Sequence, residues 1–360
     1  MPAAEAELYT YASSALRECL EQLPSATVII VEHPGSIKPV RSPDFQVQLT
    51  HAGRQTSFLV ELKKSGEPQY ARNAINQIHG YRRSLNLPKA EGIFVAPYIS
   101  EAAAKLCRDE EIGYLDLAGN CHIAFWSVYI HVEGQTNPFT RARSLLSLYQ
   151  PKAERILRVL LTNPSRVWRI QALADEAEVS VGQSFKVKEL LLEKEWLKET
   201  DTGLFLTKPS ELLAAWAAHY RFNKHQAAQF YTLSDLSNFE QTLSFGCRQR
   251  EIPCAFTSFT AAARYAPYAD SRRTTAYIHR ERLDVQELLR LPPFQLEPVD
   301  TGANVILVTP YDDGVFYRAQ HWPDISLASP LQTYLDLQST GARGREAAEF
   351  LLQKEIIPQW

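Results

Sequence analysis

Residues 169–197 read RIQALADEAEVSVGQSFKVKELLLEKEWL, and the interpretation of the chain starts from them. The stretch predicts a short helix over 169–177, a three-residue connection and a second helix. Ser180 stands at the position of an N-cap, where a hydroxyl accepts a hydrogen bond from a free amide of the first turn. The preceding residues, 151–166, have helical spacing of apolar side chains up to an Asn-Pro stop. We therefore expect three helices in succession.

The second helix of the closely spaced pair should have two faces. Val187, Leu190 and Leu191 have helical spacing and are expected to pack inward. The candidates for its exposed side are Gln183, Ser184, Lys186 and Lys188.

A β-hairpin is predicted directly after this helix. Short apolar segments at 196–198 and 204–206 flank Asp-Thr-Gly at 201–203, a sequence typical of a tight turn. Three helices followed by a hairpin, over residues 150–208, resemble the winged helix-turn-helix family. The resemblance implies that the second helix of the pair enters the major groove of double-stranded DNA and that the wing lies along the backbone. The implied DNA-binding residues are Ser180, Gln183, Ser184, Lys186 and Lys188.

The charges of residues 150–208 leave an alternative open. Ten lysines and arginines are nearly balanced by nine acids, so the segment lacks a strong positive charge of its own. A helical pair used for dimerisation has the same order of elements.

Another pattern stands nearer the N-terminus, where Asp44 is followed by Glu61 on the next predicted strand. If the hairpin between the strands turns at Ala52 and Gly53, paired residue numbers sum to 105 and the two carboxylates face each other. Like charges directly opposite in a sheet are destabilising unless something compensates them. Mg²⁺ is the obvious compensating cation.

Further polar residues extend this pattern. Lys63 projects to the same face as Glu61, where its amine can orient or deprotonate a water for attack on phosphorus. Gln77 and Tyr81 are four residues apart and lie on one face of the next predicted helix. The pattern matches the PD-(D/E)XK motif with its QxxxY extension, and residues 1–140 resemble restriction-endonuclease-like nucleases.

This second resemblance implies catalytic residues and a metal site. The implied catalytic set is Asp44, Glu61, Lys63, Gln77 and Tyr81. Mg²⁺ would be bound by Asp44, Glu61 and Leu62, and a further acid would come from Glu18, Glu21 or Glu32. Asp116 and Asn120 fit a strand that ends in a turn. The alternative is that Asp116 or Asn120 lines the same cleft as Asp44. Domains of this fold also serve as inactive DNA-binding modules, so activity stays open.

The C-terminal region carries a third resemblance. Residues 329–332 read SPLQ and residues 344–348 read GREAA. This region, about 220–357 within a domain placed at 215–360, resembles the C-terminal domain of AbiEi-type antitoxins from type IV toxin-antitoxin systems. The resemblance implies transcriptional autoregulation through operator binding and a cognate toxin as partner. A palindromic operator would favour a homodimer.

Composition sets the remaining expectations. A chain of 360 residues predicts two or three domains, and the order of elements predicts an α/β (α+β) fold, including a helix over 210–229. The net charge of −3 excludes a purely electrostatic nucleic-acid binder. Five scattered cysteines without a CxxC pair indicate free thiols in the cytoplasm. The sequence contains no apolar run of about 20 residues, the length that a membrane span needs, so no membrane span is predicted. His219, His225 and His279 are expected to be ordinary polar or surface residues.

Two functions are the main alternatives from sequence, beside a weaker third, a structural or assembly protein that has kept both folds without using DNA. The first is a DNA-binding transcriptional regulator. The alternative is a Mg²⁺-dependent endonuclease that its winged helix directs to DNA, in the setting of phage defence.

Overall fold

The computed structural model describes residues 3–31, 42–139, 148–267, 272–279 and 296–360. The chain divides into two compact units, one formed by 1–144 with 190–195 and the other by 145–189 with 196–360. Both contain helices and a mixed seven-stranded sheet, which confirms the predicted α/β (α+β) class.

The first unit is built on a sheet whose strands follow one another in chain order, β1 to β7. Strands β3, β4 and β5 are parallel, and the other neighbouring pairs are antiparallel. The elements are α1 (Ala3–Glu21), β1 (Thr27–Val31), β2 (Phe45–His51), β3 (Arg54–Leu62), α2 (Pro68–Ser84), β4 (Glu91–Ala96), α3 (Glu101–Asp109), β5 (Gly113–Asp116), β6 (Cys121–Phe125) and β7 (Val128–Val132).

Helices cover both faces of this sheet. Leu16 and Leu20 of α1 pack in one cluster with Phe45 and Val47 of β2. On the other face, α2 and α3 pack against the apolar side chains of β4 that point the opposite way, such as Phe94. Alternation along a strand explains the arrangement, since successive side chains point to opposite faces.

The hairpin between β2 and β3 has the predicted register. Paired residues run from Phe45 opposite Val60 to His51 opposite Arg54, and each pair of numbers sums to 105. Ala52 and Gly53 form the turn with φ of 49° and 72°. Two consecutive positive φ values are the signature of a type I′ turn, which matches the twist of the strands.

The second unit begins with three helices and a two-stranded hairpin, and a larger sheet follows. The strands of the larger sheet are in the order β13-β10-β14-β12-β11-β16-β15. The elements are α4 (Pro151–Thr162), α5 (Ile170–Glu176), α6 (Val181–Glu193), β8 (Leu197–Thr200), β9 (Gly203–Leu206), α7 (Pro209–His219), β10 (Gln226–Tyr231), α8 (Leu236–Gln249), β11 (Cys254–Phe256), α9 (Ser258–Tyr265), β12 (Thr274–Ile278), β13 (Glu297–Pro298), β14 (Val305–Thr309), β15 (Gln320–His321), β16 (Ser326–Leu327), α10 (Pro330–Gln338) and α11 (Ala342–Leu351).

The helix predicted over 210–229 was too long. It ends at His219, Phe222–Lys224 form a short 3-10 turn, and Gln226–Tyr231 are strand β10. Alanines and glutamines in 226–229 fit a helix as well as a strand, and pairing with β14 decides the outcome.

Two further properties of the described residues bear on the expectations from composition. No helix among them is long and apolar enough to cross a bilayer. All five cysteines are present as free thiols.

Candidate functional sites: a helix pair with a hairpin and a carboxylate-lysine cluster

The helix pair and wing have the predicted local geometry. The amide of Gln183 donates to Ser180 Oγ at 3.2 Å, so Ser180 caps α6 as expected. Strands β8 and β9 pair from Leu197 opposite Leu206 to Thr200 opposite Gly203. A Cβ at position 203 would lie 2.6 Å from a backbone oxygen, which explains the need for glycine in the turn.

The faces of α6 differ from the prediction. Ser184 and Lys188, predicted on the exposed side, are buried, and with Val187 and Leu191 they form the inner stripe at i, i+3, i+4 and i+7. Of the other predicted contacts, Lys186 and Ser180 are exposed and Gln183 is half-buried. The outward stripe consists of Val181, Gly182, Phe185, Lys186 and Glu189.

Lys188 ties α6 to the wing. Its ammonium lies 3.2 Å from Glu199 of β8 and 3.3 Å from the neighbouring Glu189, while its stem is buried. A lysine can bury its methylene stem and keep its charge paired at the rim. Lys188 therefore orients the hairpin relative to α6.

Sequence reasoning missed several exposed side chains of this region. Phe185 is 52% exposed and Val181 is 38% exposed on the outer stripe of α6. Arg166 is exposed and stacks over the ring of Trp168 at 3.8 Å, and Arg169 is exposed beside it. The four-residue spacing of Val181 and Phe185 was the signal for a shared face, but their apolar character favoured a buried position.

Helix α4 is joined to the C-terminal sheet region by buried hydrogen bonds. Nε and Nη2 of Arg158 donate to Gln332 Oε1 of α10 at 3.2 and 2.7 Å. Arg155 donates to Asp312 at 2.7 Å, and the Tyr311 hydroxyl donates to Glu154. Charge-assisted bonds of this kind are stronger than neutral ones. They join the helical region to the sheet that follows it in the second unit.

Gln332 also belongs to a buried polar cluster. Its amide donates to Asp336 at 2.9 Å, and Asp336 also accepts from Tyr220 at 2.6 Å and from Tyr277 at 2.8 Å. Burial raises the pKa of Asp336 from 3.8 to about 6, and the donated hydrogen bonds oppose that rise.

His225 belongs to the same cluster as a buried polar residue and does not lie at the surface. Its Nε2 lies 2.9 Å from the Tyr220 hydroxyl, and the amide of Tyr311 donates to Nδ1 at 3.3 Å. Burial, followed by the charges of Arg158 and Lys224, lowers the pKa of His225 to about 3. The ring is therefore neutral and serves as a hydrogen-bonding member of the core.

The residues of the predicted N-terminal site come together in the first unit. Lys63 Nζ donates to Glu61 Oε1 at 2.6 Å and to Gln77 Oε1 at 2.5 Å. The Tyr81 hydroxyl donates to Glu61 Oε2 at 3.1 Å and lies 3.4 Å from Gln77 Nε2. Asp44 Oδ2 accepts from the Leu62 amide at 2.7 Å.

The surroundings of Glu61 disfavour its charged form. It is 4% exposed, and burial followed by the charge of Asp44 raises its pKa, while Lys63 and Tyr81 lower it. Burial and the adjacent Glu61 carboxylate also raise the pKa of Tyr81, which therefore keeps its proton.

The oxygens of Asp44 and Glu61 have the chemistry that Mg²⁺ prefers in its ligands. Among the described residues, no group of three or more His, Cys, Asp and Glu side chains is placed to hold a metal ion. Mg²⁺ usually takes one or two carboxylates and keeps several waters, so Asp44 and Glu61 can suffice with the Leu62 carbonyl. Burial, followed by the charge of Asp44, raises the pKa of Glu61, and a divalent cation bound at the two carboxylates would favour their charged forms.

Among the described residues, the other candidate acids are not part of this cluster. Asp116 accepts hydrogen bonds from the Ala118 and Asn120 amides at 3.0 and 2.8 Å, as expected for a strand that ends in a turn. Glu18 and Glu21 lie on α1, which packs on the face of the sheet opposite α2. Glu32 lies outside the described residues.

Comparison with known families bears on the C-terminal region. Residues 205–357 match the family described as "Transcriptional regulator, AbiEi antitoxin, Type IV TA system". The match confirms the AbiEi-type resemblance expected for this part of the chain. A search of curated proteins gave no match.

Proposed function

We propose that the protein is a transcriptional regulator of a type IV toxin-antitoxin system that binds double-stranded DNA through residues 150–208. The observation that carries the proposal is the set of buried bonds between α4 and the family-matched region, such as Arg158 to Gln332. A DNA-binding element joined in this way can respond to whatever the matched region binds. A cognate toxin and a second copy of this chain are the partners that we propose for that region.

The outer stripe of α6 would enter the major groove. Lys186 can donate to guanine, and Phe185 can pack against a thymine methyl. Gln183 remains a candidate at the half-buried edge of the stripe, while the Ser180 hydroxyl already caps the helix. Arg166 and Arg169 are exposed near the wing and would contact phosphates.

Fluorescence anisotropy with two duplexes tests this division of roles. One duplex carries the region upstream of the protein's own coding sequence, and the other is its scrambled counterpart. We expect Phe185→Ala to weaken binding to the first duplex by about 1–3 kcal/mol and to remove the preference for it. Arg166→Ala should weaken binding to both and reduce the salt dependence by about one ion.

Lys354→Ala, which changes an exposed lysine far along the chain, is the control and should bind as wild type. Failure of the wild-type protein to bind either duplex would contradict the proposal. Equal binding by wild type, Phe185→Ala and Arg166→Ala would contradict the proposed interface.

A second candidate function is Mg²⁺-dependent cleavage of DNA, and the cluster of Asp44, Glu61, Lys63, Gln77 and Tyr81 favours it. Bound Mg²⁺ would supply stabilisation of negative charge on the phosphate. Lys63 lies on the same side as Glu61 and would orient or deprotonate the attacking water. Gln77 and Tyr81 hold Lys63 and Glu61 in position.

Incubation of supercoiled plasmid with Mg²⁺ or Mn²⁺ tests this candidate. Wild type should nick the plasmid, while Lys63→Ala and Glu61→Ala should not, and Lys89→Ala serves as a control at an exposed lysine of the same unit. If the plasmid stayed intact with every protein, the cleavage candidate would be contradicted and only the regulator proposal would remain.

A further inference from the structure

A cavity of about 570 Å³ lies in the second unit beside the N-terminus of α9. Three arginines line it, Arg272 and Arg273 before β12 and Arg343 in α11, and no acidic residue is among its described lining residues. Arg272 makes no ion pair with any residue that the structure describes. The described wall of the cavity therefore combines arginine side chains with no acidic one.

Two residues with hydroxyl side chains line this cavity. Ser258 and Thr275 line it and are 6% and 8% exposed. Neither hydroxyl has a hydrogen-bond partner within the described part of the chain. Neither oxygen is among the fully buried side-chain atoms that lack a partner, so both hydroxyls open to the cavity, where a ligand or solvent molecule can form hydrogen bonds with them.

The backbone at Ser258 adds to this picture. Ser258 is the first residue of α9 and has φ of 54°, a conformation that non-glycine residues rarely adopt. The positive end of the α9 dipole and its first amides lie beside the Ser258 hydroxyl and favour an anion. Arginine guanidinium groups and a helix N-terminus together are suited to a phosphate group.

The rest of the wall is suited to a larger molecule than phosphate alone. Phe259 lines the cavity, and the guanidinium of Arg343 lies 5.9 Å from the centre of its ring. Phe222 and Ile306 add apolar surface. A volume of this size lies within the range of small-molecule sites, roughly 300–1,000 Å³. We propose that the cavity binds a nucleoside phosphate, with its phosphate on Arg272, Ser258 and the α9 N-terminus and its base against the phenylalanine wall.

Isothermal titration of the full chain tests the proposal with ATP, GTP, AMP and inorganic phosphate as separate probes. We expect a nucleoside phosphate to bind more tightly than inorganic phosphate. Arg272→Gln should weaken it at least about tenfold, since a charge-assisted contact is lost. Ser258→Ala should weaken it by a smaller factor.

The control is Arg345→Gln, an exposed arginine two residues from Arg343 that does not line the cavity. It should bind as wild type. No binding of any probe at millimolar concentration would overturn the proposal, as would equal weakening by Arg272→Gln and Arg345→Gln. Binding of inorganic phosphate as tightly as ATP would overturn the assignment to a nucleoside. Duplex DNA serves as a further probe. If it bound in a manner that depends on Arg272 while no nucleoside phosphate bound, the proposal would also be overturned. None of these results depends on whether the winged helix binds DNA.

Discussion

Asp336 is a buried carboxylate held by hydrogen bonds from four side chains. Tyr220, Tyr277, Thr257 and Gln332 all donate to it. These bonds favour the charged form, but burial outweighs them and leaves the pKa at about 6. A group with a folded-state pKa above its unfolded value contributes stability at low pH and loses that contribution as the pH rises through the folded pKa.

We therefore predict that the stability of wild type relative to Asp336→Asn falls between pH 4 and pH 7. The expected decrease is on the order of 3 kcal/mol, since the shift is roughly two pKa units at 1.36 kcal/mol each. Urea unfolding of both proteins across this pH range measures it. Asp324→Asn, at an exposed aspartate, is the matched control and should show no such change. A constant difference between wild type and Asp336→Asn would show that the carboxylate keeps the same charge throughout.

Single residues also show what spacing alone can predict. Strand alternation placed Glu61 and Lys63 on one face, and helical periodicity placed Gln77 and Tyr81 on one face. The meeting of the two pairs followed only from the resemblance to PD-(D/E)XK nucleases. The burial of Lys188 was not foreseen, since a charged side chain gives no sign in the sequence that its stem will be covered and its charge paired with Glu199.

Among the elements, the β2–β3 hairpin sets the register of the carboxylate cluster and contains a residue poorly suited to its turn. Ala52 has φ of 49°, where its Cβ is strained, whereas asparagine tolerates this conformation and is preferred before glycine in type I′ turns. We predict that Ala52→Asn stabilises the first unit by about 1 kcal/mol, which corresponds to a rise of about 2–4 °C in its melting temperature. Scanning calorimetry measures this rise.

Ala52→Val is the paired comparison. A β-branched side chain at positive φ is more strained than alanine, so its melting temperature should be lower than that of wild type. If Ala52→Asn melted below wild type as well, the turn would not have the conformation described.

The sequence predicted those elements that local residue chemistry determines. It did not predict those that depend on pairing with a distant strand. The Ser180 cap and the turn at Gly203 were foreseen from residues that have few other uses in such positions. The strand at 226–231 was not, because its identity depends on partners in β14, almost eighty residues later. Tertiary pairing of this kind overrides weak local preference.

At the scale of the whole molecule, residues placed in separate domains from sequence share one compact unit. The chain from 145 to 189 and from 196 to 360 includes α4, the wing and the family-matched sheet. Composition could not foresee this, because the bonds involved join residues more than 150 positions apart, such as Arg158 and Gln332. A regulator benefits from such a connection, since binding at one region can bias another only through contacts that differ between states.

The bond between Arg158 and Gln332 should carry measurable coupling energy. We predict that a double-mutant cycle of Arg158→Met and Gln332→Met gives about 1.5–3 kcal/mol, because both groups are almost fully buried and the guanidinium is charged. Urea unfolding of the four proteins supplies the cycle.

The exposed pair Lys208 and Glu211 provides the matched cycle, with an ammonium-carboxylate distance of 3.4 Å and a coupling expected near zero. If the buried pair coupled no more strongly than this surface pair, the Arg158–Gln332 bond would not contribute to holding α4 to the sheet, and the contacts of Arg155 and Glu154 and apolar packing would hold it instead. A change in DNA affinity on toxin binding would then have to pass through contacts other than Arg158. A large coupling with a single unfolding transition would instead show that the helices of 151–193 and the matched region unfold together, as the proposed regulator requires.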